Sequence, residues 1–143
     1  MTVLTALSGL FGGIVGAVLT YWLGIRAEAA KGHQKQRTDA YVEFIEAVSR
    51  ISASQREWNQ EKLDEAITQL TQGKSKIAIY GSKQVAAALA DFGRQYERLD
   101  SPESFASFGK IVALMRADSS PRVEPLDPSD IQQILFGGSL PMR

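Results

Sequence analysis

The hydrophobic pattern divides the chain into one unbroken apolar run followed by a series of amphipathic stripes. Residues 3–25 carry no charge. As a helix at 1.5 Å per residue they measure about 34 Å, enough to cover a hydrocarbon core of about 30 Å. Beyond Arg26 the pattern changes period. Tyr41, Phe44, Ile45, Val48 and Ile51 recur at i, i+3, i+4 and i+7, the signature of a helix with one buried face. Leu63, Ala66, Ile67, Leu70, Ile77 and Ala78 form a second stripe, which passes Gly73 without a change of phase. Gly73 is then either a point of close approach or a weak spot. Val85, Leu89, Phe92, Tyr96 and Leu99 make a third stripe, and Phe105, Phe108, Ile111, Val112 and Met115 a fourth. A short fifth stripe holds Ile131, Ile134, Leu135 and Phe136.

Punctuation between the stripes agrees with helices rather than strands. Trp58-Asn59 offers a turn with Asn59 as N-cap. Gly81 suits the left-handed position after a helix, and Ser82 caps the next one. Ser101-Pro102 places a cap before a proline at the first helical position. Pro121, Pro125 and Pro128 mark an extended connector, Asp127-Pro128 starts the last helix, and Gly137-Gly138 ends it. A strand over residues 77–80 has no second strand to pair with. The pattern therefore predicts an all-α chain. It consists of an N-terminal transmembrane helix (1–25), a basic juxtamembrane stalk (26–38), an antiparallel four-helix bundle (39–118), and a connector with a short C-terminal helix (119–143).

The apolar run has further structure. Gly12, Gly16, Thr20 and Gly24 recur every fourth residue, as do Thr5, Gly9, Gly13 and Ala17. In water each glycine would cost a helix about 1 kcal/mol relative to alanine. In lipid, two ridges of small residues let helix backbones approach closely, which makes Gly9, Gly12, Gly13, Gly16, Ala17, Thr20 and Gly24 a candidate helix-packing interface. Tyr21 and Trp22 fall where aromatic rings prefer the headgroup level, and Arg26, Lys31, Lys35 and Arg37 follow. This charge asymmetry predicts an N-terminus outside and a C-terminal domain in the cytoplasm. A cleaved signal peptide fits less well, because no basic residue precedes the run and the run is too long.

Charge and chemistry add mostly exclusions. Lys+Arg and Asp+Glu both number 16, which gives no bias toward nucleic acid. There is no cysteine, hence no disulfide or thiolate metal site, and a single histidine, His33, leaves no histidine pair for a metal. No nucleophile–base pair stands out. Gly81-Ser82-Lys83 at a helix start could hold an anion, but the strand and the spacing of a P-loop are missing. Tyr80, Gly81, Ser82, Arg116 and Asp118 form a candidate structural turn. In an antiparallel bundle the ends of the second and fourth helices meet, which would let Arg116 tie the turn through Asp118 or a carbonyl.

The runs "AYVEFIEAV", "IAIYGSKQVAAAL", "FGKIVALMRAD" and "SDIQQILFG" resemble uncharacterised small bacterial single-pass membrane proteins. Those have a helical cytoplasmic domain with a Tyr-Gly-Ser turn and a Met-Arg-x-Asp helix end. The resemblance implies a bacterial inner-membrane protein and supplies no catalytic, cofactor-binding or metal-binding residue. The expectation is a non-enzymatic adaptor or accessory subunit of a membrane complex, in contact with lipid and with other transmembrane helices, its own copies or a partner's. The alternative is an oligomeric pore-forming or membrane-disrupting effector triggered through the bundle. A polar stripe for conduction is lacking, since Ser8 lies off the face shared by Thr5 and Thr20.

Overall fold

A computed structural model describes residues 2–137, with side chains for 17–137. Among the described residues the chain is all-helical, without strands. Its helices are α1 (Thr2–Glu57), α2 (Gln60–Tyr80), α3 (Lys83–Gln95), α4 (Pro102–Ser119) and α5 (Pro128–Phe136). The expected anchor, stalk and first bundle helix are thus one element. Two compact units divide within α1, Met1–Lys35 and Gln36–Arg143.

In the first unit, every described side chain from Ala17 to His33 is exposed. Among the described residues no helix is long and apolar enough to cross a membrane. The transmembrane anchor expected over 1–25 is therefore not supported by the fold. Gly9, Gly12, Gly13 and Gly16 lie outside the residues whose side chains are described. A Cβ built on Gly24 meets nothing, so this glycine serves no packing contact among the described residues.

The second unit is a helical bundle built as the stripes require. Arg50 reaches Gln69 at 3.0 Å, Lys76 pairs with Glu43, and Arg37 reaches the Tyr80 carbonyl at 2.9 Å. As positions fall along α1 their partners rise along α2, which makes these two helices antiparallel. A Cβ on Gly73 would lie 3.0 Å from the Phe44 Cα, so Gly73 is a point of close approach between the two backbones. Gly109 does the same for α4 and α5, where a Cβ would meet the Pro128 carbonyl oxygen at 2.8 Å. The core gathers Tyr41, Phe44, Ile77, Val85, Phe108, Ile111, Met115 and Phe136. Phe108 stands at its centre, with Phe44, Phe92 and Phe136 rings at 6.0, 6.1 and 5.7 Å.

The caps explain the helix boundaries. Asn59, Ser82, Ser101 and Asp127 each accept a backbone N–H from the first turn that follows. Ser101 and Ser104 form a reciprocal capping box. Three expectations are corrected. Ile67, Ala78 and Ile134 are exposed rather than buried, because each lies at the edge of its stripe and the neighbouring helices cover only the centre. α3 stops at Gln95, where Tyr96 turns to an extended conformation, so Leu99 reaches the core from a loop. Gly81 is not left-handed: its φ is −63°, and the position excludes a side chain because a Cβ would meet the Ile77 carbonyl oxygen at 2.5 Å.

The left-handed residue is Trp58, with φ 55°. Its N–H donates to the Gln55 carbonyl and that of Asn59 to the Ser54 carbonyl, the two bonds of a Schellman ending. Glycine is the usual occupant of that position, since a side chain there costs about 1 kcal/mol. Trp58 is nonetheless 93% exposed and recovers nothing by packing among the described residues.

Candidate functional site

Two places in the bundle concentrate polar or unfilled structure. The first is a lock at the end where α1 enters the unit and α2 and α4 finish. Arg37 and Tyr41 stand one turn apart on α1, hence on one face. The Arg37 Nε donates to the Tyr80 carbonyl at 2.9 Å, satisfying one of the acceptors that α2 leaves open at its C-terminus. Another Arg37 nitrogen lies 3.4 Å from Asp118 on α4. The Tyr41 hydroxyl donates to Asp118 Oδ2 at 2.6 Å and accepts the Ser82 N–H at 2.9 Å. One arginine and one tyrosine thus fasten three other helix ends.

Of the turn residues read from the sequence, Tyr80, Ser82 and Asp118 meet Tyr41 and Arg37 here, whereas the arginine expected among them was Arg116. Arg116 lies two residues from Asp118, on another face of α4, and its buried Nε has no hydrogen-bond partner among the described residues. Arg37, which the sequence places in the basic juxtamembrane stalk with Arg26, Lys31 and Lys35 at the membrane surface, takes that place in the lock. Only the long-range pairing of α1 with α2 and α4 reveals this, and no local motif carries it. The anion site considered at Gly81-Ser82-Lys83 is also filled from within. The Ser82 N–H goes to Tyr41, and the Val85 N–H goes to the Ser82 hydroxyl at 3.3 Å.

Burial and the bond to Asp118 push the Tyr41 hydroxyl above its ordinary value of 10. At neutral pH it therefore keeps its proton and acts as a hydrogen-bonding tie. A proton held more tightly in the folded state gives stability that is complete below the unfolded value, near pH 10, and is lost as pH rises through the folded value. Wild-type bundle stability should therefore fall more steeply above about pH 10 than that of Tyr41→Phe. At neutral pH, Tyr41→Phe should be less stable by about 1–3 kcal/mol, because Asp118 and the Ser82 N–H lose a buried partner. Chemical denaturation of both proteins at pH 7 to about pH 11 checks both expectations; equal alkaline slopes would refute the first.

The second place is a groove of about 650 Å³ that exists because α3 is short. Phe44 and Val48 of α1, Leu70 of α2, Leu89 and Phe92 of α3, and Phe108 of α4 form its apolar floor. Lys74, Glu97, Arg98 and Asp100 line it with charge, and none of them takes part in an ion pair among the described residues. Its volume is that of a typical ligand or peptide pocket. The sequence signal for it was the third stripe running past the helix end, which marks core contacts made from a loop.

In the first unit, Tyr21, Trp22, Arg26, Lys31 and Lys35 are all exposed, and Arg26 lies over the Trp22 ring at 5.8 Å from its centre. Val18, Leu19, Trp22 and Leu23 beside it enclose an apolar surface groove. Among the described residues no group of three metal-ligating side chains occurs. No protein-family model, curated protein or solved structure matches the chain.

Proposed function

We propose that the chain is a non-enzymatic, membrane-attached adaptor whose N-terminal helix inserts in lipid and whose helical bundle recruits or joins other proteins. The observation that carries this reading is the uncovered apolar surface of the first unit. Val18, Leu19, Tyr21, Trp22, Leu23 and Ile25 are each at least half exposed, far more than a helix in water leaves bare. They continue the charge-free run that begins at Val3, and the glycine ridges of that run suit contact with another transmembrane helix. Arg26, Lys31 and Lys35 directly follow, which favours a cytoplasmic bundle at a bacterial inner membrane and gives anionic headgroups about 1 kcal/mol of attraction per basic residue. The groove beside α3 offers the bundle an apolar floor and a charged rim, the layout of a protein-binding surface.

Purification from membranes in mild detergent tests the assembly half of this reading. The expected result is a protein mass above one 15.6 kDa chain, or a stoichiometric companion protein. A lone monomer without companions would contradict it.

A further inference from the structure

We infer that a second copy of this chain fills the groove, with Trp58 as the anchor it inserts. This rests on the assembly reading above and names the partner.

Trp58 and the groove each lack what the other supplies. Trp58 sits at the left-handed position of a Schellman ending, where glycine would be easier, and it is 93% exposed. A residue that strains its own backbone and buries nothing at home is explained by a contact outside the chain. Tryptophan is also the side chain most enriched among the anchors that dominate protein interfaces. The groove offers the half-buried Leu89, Phe92 and Tyr96 as apolar lining, with room for an indole and part of the turn that bears it.

Charge and position match as well. Arg56 and Glu61 flank Trp58, and neither is ion-paired among the described residues. The groove holds two carboxylates, Glu97 and Asp100, and two cations, Lys74 and Arg98, none ion-paired among the described residues, so each flanking charge finds an opposite. Gln55 lines the groove one helical turn before Trp58, which puts anchor and groove at the same end of the bundle. A two-fold axis through that end lets each copy give its tryptophan and receive the other's, a closed and self-complementary arrangement.

The test uses the full chain in mild detergent, with Trp58 replaced by the photo-crosslinking residue p-benzoylphenylalanine. Unlabelled and isotopically heavy populations are mixed, irradiated and mapped by mass spectrometry. The inference predicts crosslinks between light and heavy copies, at residues 89–100. Gly93→Trp, placed on the groove wall where an added Cβ meets nothing, should lower that yield at least several-fold while the helical circular dichroism is unchanged. Crosslinks confined to one copy, to detergent, to lipid or to another surface would overturn the inference, as would their absence. An oligomer that gives no crosslink at 89–100 refutes this inference and leaves the assembly reading standing. A lone monomer refutes both.

Discussion

Replacing Phe108 with alanine is expected to lower the stability of the bundle by about 3–5 kcal/mol, the range for deleting a large aromatic side chain from a packed core. Phe108 is 2% exposed and touches rings from α1, α3 and α5, so its loss leaves a void where four helices meet. Domains of this size hold about 5–15 kcal/mol in all, so the substitution removes a large share. α5 should suffer most. Phe136 packs on Phe105 at 4.9 Å and on Phe108 at 5.7 Å, so half of that aromatic anchorage disappears. Urea denaturation followed by circular dichroism gives the stability, and limited proteolysis in residues 120–127 reports release of α5. Ile134→Ala is the control: Ile134 is 73% exposed, and its truncation should change stability by less than about 0.5 kcal/mol. Equal midpoints for the two variants would place the core elsewhere.

What could be read from the sequence depended on how far along the chain each signal reaches. A cap involves a residue and the three that follow it, so Asn59, Ser82, Ser101 and Asp127 were legible, as was Pro102 at the head of α4. The α4 stripe was legible too, because that helix is packed on several sides and its apolar positions leave little choice. The edges of the other stripes were not, since whether Ile67 or Ile134 is covered depends on where a distant helix lies. The left-handed conformation expected at Gly81 occurs instead at Trp58 for a related reason. Composition favours glycine at a left-handed position, yet the turn geometry is set by how α1 closes onto α2. The lock was half legible. Asp118 and the Tyr-Gly-Ser turn stood out as motifs, whereas Arg37 belonged to a basic cluster that looked complete without the bundle.

Membrane attachment through the N-terminal helix is the claim on which the adaptor reading depends, and its expected effect is close to all-or-none. Each fully buried large apolar side chain contributes about 1.5–3 kcal/mol of transfer out of water, and residues 3–25 include Leu4, Leu10, Phe11, Ile14, Val15, Val18, Leu19 and Leu23. Even with the cost of five glycines, that sum far exceeds what a single acyl chain provides. Deleting residues 2–25 removes this attraction and leaves the second compact unit, Gln36–Arg143, intact in sequence. The direct measurement is extraction of isolated membranes with alkaline carbonate, comparing the full chain with the chain lacking residues 2–25. The account predicts that the full chain stays with the membrane pellet and that the shortened chain moves to the supernatant. Recovery of the full chain in the supernatant, or retention of the shortened chain in the pellet, would contradict it.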